Sequence, residues 1–298
     1  MTRRYVAALT LLATAAAWGA TFTLVKSILG RIAPEPFIFL RFTLAGVILM
    51  LVTLPRRRVT RDLIRPGVIL GLLVFAGYSL QTHGLMVISP SRSAFLTGLY
   101  VVMVPFCDAL VYRVRVSLRA WAGSVLALIG TAAMIGGFDA RPSVGDALTV
   151  ACAAVFAFHV ILSARFSALH SATGLAAVQV LVVGLAAAPA SLLAPRPQFT
   201  REIVIVIIFT AIVTTALAFA ALMWAQAHVS ATEAAVILAF EPVAAALTSI
   251  IWYHEPLTIA FVTGASLILC AMIVSQTRSL RSGQAATIRA DGPNPRHQ

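Results

Sequence analysis

Apolar residues run along this chain in long blocks, separated by short stretches rich in Arg, Pro, Ser and Gly. A helix rises about 1.5 Å per residue, so a block of roughly 20 apolar residues covers the ~30 Å hydrocarbon core of a bilayer. Setting the blocks against their polar punctuation predicts helices near 5–28, 34–54, 67–87, 93–112, 118–136, 145–166, 172–193, 202–226, 231–252 and 257–276. The pattern therefore describes an all-α integral membrane protein with ten transmembrane helices. Composition agrees, because 60% of the residues are hydrophobic and 11% are charged, where soluble domains carry about 25% charged residues. Such a chain has too few polar side chains to face water, and its expected partner is the lipid bilayer.

The formal net charge of +12 raises the question of nucleic acid. Lys26 is the one lysine, and the arginines fall mostly in short clusters between apolar blocks. No basic stripe is long enough to track a phosphate backbone, so no nucleic-acid partner is expected. Cys107, Cys152 and Cys270 lie inside apolar segments and form no CxxC pair, which points to packing rather than to a disulfide or a metal site. The start, Met1-Thr2-Arg3-Arg4 with Ala15-Ala16-Ala17 further on, has the flavour of a signal peptide. Its apolar stretch reaches Leu29, longer than a signal core, and it is expected to stay as the first span.

Lysines and arginines in alternate loops set orientation, because the more basic side stays in the cytoplasm. One side holds Arg3, Arg4, Arg56, Arg57, Arg58, Arg61, Arg65, Arg113, Arg115, Arg119, Arg165, Arg278, Arg281, Arg289 and Arg296; the other holds Arg31, Arg92, Arg141, Arg196 and Arg201. The expectation is a multi-pass protein of a bacterial-type inner membrane with both termini cytoplasmic. Residues 277–298 are rich in Ser, Gly, Pro and Arg and offer no apolar face to bury, so a disordered cytoplasmic tail is expected there.

Sliding the chain against itself gives an ungapped match at an offset of 141 residues. Ile88-Ser89-Pro90-Ser91 meets Val229-Ser230-Ala231-Thr232, and Ala94, Tyr112, Ser117, Gly123, Leu126 and Leu128 meet Ala235, Tyr253, Thr258, Gly264, Leu267 and Leu269. This divides the chain into a first repeat over 1–137 and a second over 145–276, five helices each. Five is odd, so the second repeat enters the membrane upside down relative to the first. Inverted repeats characterise alternating-access transporters, with a site near mid-membrane between the two copies.

Several segments resemble the EamA family of the drug/metabolite transporter superfamily. They are Trp18-Gly19-Ala20-Thr21-Phe22 with Lys26, Phe39-Leu40-Arg41-Phe42, Gly77-Tyr78-Ser79-Leu80-Gln81 with Gly84-Leu85, Ser93-Ala94-Phe95-Leu96 with Val104-Pro105, Gly145-Asp146, and Phe240-Glu241-Pro242-Val243 followed by Glu255. They occur in order, and the resemblance covers residues 5–276. It implies two inverted five-helix repeats, a central cavity lined mainly by the first, third, fourth, sixth, eighth and ninth helices, and export of amino acids or related metabolites.

Ionisable groups inside a bilayer cost about 2.5–3.5 kcal/mol at a helix centre on insertion scales, so each asks for a reason. Glu241, beside Pro242 in the ninth predicted helix, reads as a polar contact to substrate or a proton-responsive group, or else as a carboxylate tied to a neighbouring helix. Arg41 is expected to snorkel toward the outer interface in a structural role, and Lys26 to sit structurally near the outer end of the first helix, with guidance of an anionic group of the substrate as the alternative for either cation. Trp18, Thr21, Tyr78, Gln81, Tyr100, His159 and Trp224 are the polar or amphipathic groups on the cavity helices named by the resemblance, and with Glu241 they form the candidate substrate-binding set. For Trp224 an interfacial belt position is the alternative, and for His159 a neutral imidazole bonded to a neighbour.

No carboxylate occurs from Tyr5 to Leu29. The small multidrug pumps of the same superfamily use an acid on that helix, so a neutral or zwitterionic solute fits better than a cationic drug. No HExxH, GxSxG, Asp-rich pair or glycine-rich phosphate loop is present, so no enzyme, cofactor or catalytic metal is expected. The expected function is transport of a small metabolite, most simply amino-acid export. Drug efflux, metabolite import, a lipid-linked sugar flippase and a channel stay open as alternatives, as does the choice between monomer and homodimer.

A reporter fused after Gln298 should read the cytoplasmic side and one inserted near Arg141 the opposite side. The reverse result would invert the predicted orientation.

Overall fold

A computed structural model describes residues 2–56, 58–113, 115–135, 143–229, 234 and 237–290. All regular structure among the described residues is helical. We number the helices α1 (Thr2–Ile28), α2 (Pro34–Thr53), α3 (Arg61–Val87), α4 (Pro90–Gly98), α5 (Tyr100–Tyr112), α6 (Leu118–Ile135), α7 (Val144–Leu169), α8 (Ala172–Leu193), α9 (Arg201–Ala211), α10 (Ala218–Gln226), α11 (Glu241–Tyr253) and α12 (Ile259–Ala290), with a π-helical turn over Ile212–Leu217 joining α9 to α10.

Local chemistry places the boundaries. Pro34 and Pro90 open α2 and α4, where a missing N–H costs nothing because the first turn has no acceptor for it. Ser143 and Asp146 close a capping box at α7, and Ser171 and Thr200 accept backbone N–H groups at α8 and α9. Arg113 and His254 end α5 and α11 in the left-handed region, at φ 56° and 50°. The predicted fourth helix is broken at Leu99 into α4 and α5.

Seven spans in the described residues are long and apolar enough to cross a membrane, with α4 and α5 together supplying one and α9 through α10 another. Shorter apolar stretches run over Trp121–Ala133 and Ile259–Val274. Of the predicted ninth helix, Ala234, Ile237 and Leu238 are helical and α11 covers its second half, while 230–233, 235 and 236 lie outside the described residues. So do the Ser230, Ala231, Thr232 and Ala235 members of the sequence match. The expected tail differs too: α12 continues to Ala290, and 291–298 lie outside the described residues. Segment 277–290 holds no Pro, and its Arg, Leu, Gln and Ala residues are good helix formers, so nothing local stops the helix.

Helix α2 packs on α8, α3 on α7 and α8, α1 on α10 and α11, and α6 on α12. Lipid tails are as apolar as leucine, so such contacts depend on close packing rather than on escape from water. At Gly19 on α1, an added Cβ would stand 2.5 Å from the Glu241 carbonyl oxygen and 2.7 Å from the Ala245 nitrogen of α11. One turn later the hydroxyls of Thr23 and Thr248 meet at 3.1 Å. Large apolar side chains such as Leu51, Leu110, Leu128 and Ile251 point outward, as a surface solvated by lipid requires.

Gly19→Ala should push α11 off α1 and lower stability by about 1–3 kcal/mol, read as a fall in the thermal midpoint in detergent. Gly30→Ala, where an added Cβ meets nothing within 4 Å, should change it by no more than about 0.5 kcal/mol.

Candidate functional site

A cavity lies inside the bundle, walled by α1, α2, α3, α7 and α10, the α4–α5 break and the start of α11. Trp18, Thr21, Tyr78, Gln81, Tyr100, His159 and Glu241 all line it. Trp224 does not. It stands two residues beyond the cavity-lining Leu222, about 200° around the helix axis, and packs its ring on His228 at 4.7 Å between centroids.

Each helix contributes for a local reason. On α1, Trp18 and Thr21 are separated by nearly one turn and so share a face. Trp18 Nε1 donates to the Thr214 carbonyl at 2.8 Å, and Thr21 Oγ1 donates to the Ala17 carbonyl of its own helix at 2.8 Å. On α3, Tyr78 and Gln81 have the same spacing, and Gln81 Nε2 donates to Thr97 Oγ1 at 3.3 Å. His159 on α7 is buried and donates from Nε2 to Gln179 Oε1 at 2.9 Å, the bonded-neighbour arrangement set out above. Tyr100 begins α5 just past the break, and Glu241 begins α11, followed by Pro242.

Aromatic rings form much of the apolar wall. Tyr78 sits 5.7 Å from Phe156 and 6.4 Å from Phe219, and Trp18 sits 5.6 Å from Phe219. Phe156 and Phe219 gave no sequence signal that separated them from ordinary core phenylalanines. Only their position on α7 and α10 brings them to the site.

Arg41 departs most from expectation. Its side chain does not snorkel to an interface; it is 1% exposed and lines the cavity. Nε donates to Thr215 Oγ1 at 2.7 Å, and Nη2 donates to Thr214 Oγ1 at 3.1 Å and to the Thr214 carbonyl at 3.3 Å. The guanidinium carbon also lies 5.2 Å from the Phe42 ring centroid and 5.1 Å from that of Tyr78. The partners belong to the π turn, which shifts the backbone ladder by a residue and so displaces carbonyls from their usual pairing. No interface offers an arginine two hydroxyls, a carbonyl and two aromatic faces together.

A second polar cluster gathers where α1 and α3 end and α4 and α7 begin. Arg92 forms a bidentate pair with Asp146, at 2.6 and 2.7 Å. Glu255 accepts from Ser89, from Ser91 at 2.6 Å and from Ser249 at 2.6 Å. Lys26 Nζ donates to the carbonyls of Leu85, Met86 and Ile88 at 2.7–3.1 Å. It thus caps the C-terminus of α3, in keeping with the structural role expected of it.

Comparison with known proteins places the chain among transporters. The sequence profile of the EamA-like transporter family matches residues 6–136 and again 143–277. An uncharacterized transporter of Archaeoglobus fulgidus is 32% identical over 279 residues, covering 93% of this chain and 87% of that protein. The uncharacterized transporter YoaV of Bacillus subtilis is 24% identical over 275 residues, covering 87% and 92%. A protein crystal structure superposes with a TM-score of 0.69 at 20% identity, over 93% of this chain and 99% of that one, a likeness of fold.

Thr215→Val should leave Arg41 Nε without its hydroxyl and cost about 1–3 kcal/mol, read as a lower thermal midpoint. Thr263→Val, on an exposed helix face, should stay within about 0.5 kcal/mol of the parent.

Proposed function

The chain belongs to the EamA-like transporter family, and from that premise we propose that it is an alternating-access carrier of a small neutral or zwitterionic metabolite, an amino-acid exporter in its simplest form. The carrier spans a bacterial-type inner membrane ten times, with both termini cytoplasmic, as two inverted repeats of five helices that meet around the central cavity. Trp18, Thr21, Tyr78, Gln81, Tyr100, His159 and Glu241 contact the solute there. The observation that carries this reading is an aromatic-walled cavity inside the bundle, lined from both halves of the chain.

Several features support the repeat. The family profile matches twice, once in each half. The two left-handed residues, Arg113 and His254, stand 254 − 113 = 141 positions apart, the offset of the sequence match. Helices α5 and α11 begin at Tyr100 and Glu241, and α6 and α12 at Leu118 and Ile259, again 141 apart. The chain therefore breaks its helix at corresponding points of both halves, beside the cavity. Discontinuous helices at such points belong to the architecture by which transporters build a midplane site. A channel is the competing reading, and flux measurements separate the two.

Proteoliposomes preloaded with a panel of unlabelled amino acids should take up the matching labelled amino acid by counterflow that saturates. Conductive, non-saturating flux would instead establish a channel. Glu241→Gln in the same assay should lower flux at least about tenfold while leaving the folded yield near that of the parent, the outcome expected of a solute contact.

A further inference from the structure

The cavity extends toward one end of the bundle and stops short of the other. Val25, Phe37 and Leu85 line it, and each lies within a turn of the end where α1 and α3 finish and α2 begins. Toward the opposite end the lining ceases. Among the described residues, 2–17 of α1, 42–53 of α2, 61–73 of α3 and 161–169 of α7 contribute nothing to it, and Leu11, Leu63 and Leu70 are fully buried there.

This closed end is not apolar throughout. On α7, His159, Ser163 and Ser167 recur at every fourth residue and so share a face; all three are buried. His159 lines the cavity, and the two serines continue its face toward the end of α7. Two of these side chains meet an amide from another helix. Nε2 of His159 lies 2.9 Å from Oε1 of Gln179 on α8, and Oγ of Ser163 lies 2.7 Å from Oε1 of Gln226 on α10. Gln226 stands about one turn beyond Leu222, which lines the cavity.

Both glutamines are buried, at 0% and 3% exposed, yet Nε2 of each has no hydrogen-bond acceptor among the described residues. A buried amide with open N–H groups is destabilising. At an interface that stayed dry, apolar side chains of the same shape would serve as well or better. Where water enters during part of a cycle, such groups find partners in it.

We propose that the seam between α7, α8 and α10, marked by Ser163, Ser167, Gln179 and Gln226, is the gate by which the cavity opens to the end of the bundle where α7 finishes. The inference rests on the carrier reading, in whose orientation that end is cytoplasmic. As α7 parts from α8 and α10, the His159–Gln179 and Ser163–Gln226 pairs separate. Water then takes their place and also reaches the amide groups left open in the closed state. Bonds lost on opening are replaced by bonds to water, which keeps the two states close in free energy, as a carrier that visits both requires.

The test is side-specific reaction of introduced cysteines with a charged, membrane-impermeant methanethiosulfonate reagent, in the full chain with Cys107, Cys152 and Cys270 replaced by alanine. Ser163→Cys, Ser167→Cys and Gln226→Cys probe the seam, and three positions cover the loss of any one that does not fold. Ile161→Cys is the control, buried on α7 on another face from Ser163. Reagent applied from the side of the termini is expected to modify the seam cysteines at least about tenfold faster than the control, the margin an open state of a few per cent provides. Reagent from the other side is expected to modify them no faster than the control. Seam cysteines that match the control from both sides, or that react only from the side opposite the termini, would overturn the gate. Saturable counterflow with unreactive seam cysteines would leave the carrier and remove the gate. Reactive seam cysteines in a chain that conducts without saturation would overturn the carrier, and the gate with it.

Discussion

The structure depends on one constraint of its solvent. Hydrocarbon offers no hydrogen bonds, so every polar group at membrane depth must find its partner inside the protein. The π turn at Ile212–Leu217 is where this constraint does most to shape the fold. The Thr214 carbonyl takes donors from α1 and α2, through Trp18 and Arg41, and the two threonine hydroxyls complete the shell of the guanidinium. The first two helices are thereby tied at one point to a segment far along the chain, and the cavity forms around the tie. Without the π turn, Arg41 would lose both threonine hydroxyls and the Thr214 carbonyl, and keep only its contacts with Tyr78 and the neighbouring aromatic faces.

The same constraint explains how polar groups are distributed. Toward the ends of the helices they gather in saturated clusters, as with Arg92 and Asp146 or the serines around Glu255. These join α4 to α7 and the segment after α11 to the start of α4, fixing helix ends where water competes for their bonds. Inside the cavity Arg41 is held by the threonines of the π turn and by Tyr78, while no hydrogen bond to the Glu241 carboxyl is present among the described residues. The helices around them pack through small residues, with Gly19 against α11 and Gly46 and Gly184 in the contact between α2 and α8, so the backbones approach closely while the cavity between them stays open.

Much of this was legible in the sequence, for a physical reason. Membrane depth imposes a length on each apolar block, and breakers and caps such as Pro34, Pro90 and Ser143 mark the ends, so helices could be placed without tertiary knowledge. The resemblance named the cavity helices, and of the polar or amphipathic groups chosen on them Trp18, Thr21, Tyr78, Gln81, Tyr100, His159 and Glu241 line the central cavity. Trp224 does not line it, because the choice of helix does not say which way round that helix a residue points. Side-chain length misreads Arg41, since it suits an interface as well as an interior. Nothing in Ile212–Leu217 announces a π turn, and nothing marks Phe156 or Phe219 as cavity walls. The final helix ran past its expected end because composition suggested disorder where local propensity still favoured helix.

The sequence by itself determined that this chain lives in a membrane, where its apolar helices run, and which polar residues need a reason to be there, because bilayer thickness and the cost of burying charge act residue by residue. Only the tertiary structure decided which of those residues face one another. That depends on helix rotation, close approach at glycines and a one-residue slip in a hydrogen-bond ladder, which arise between segments far apart in the chain. It brought Arg41 inside, left Trp224 out, and set one acid and one base in the same cavity without joining them.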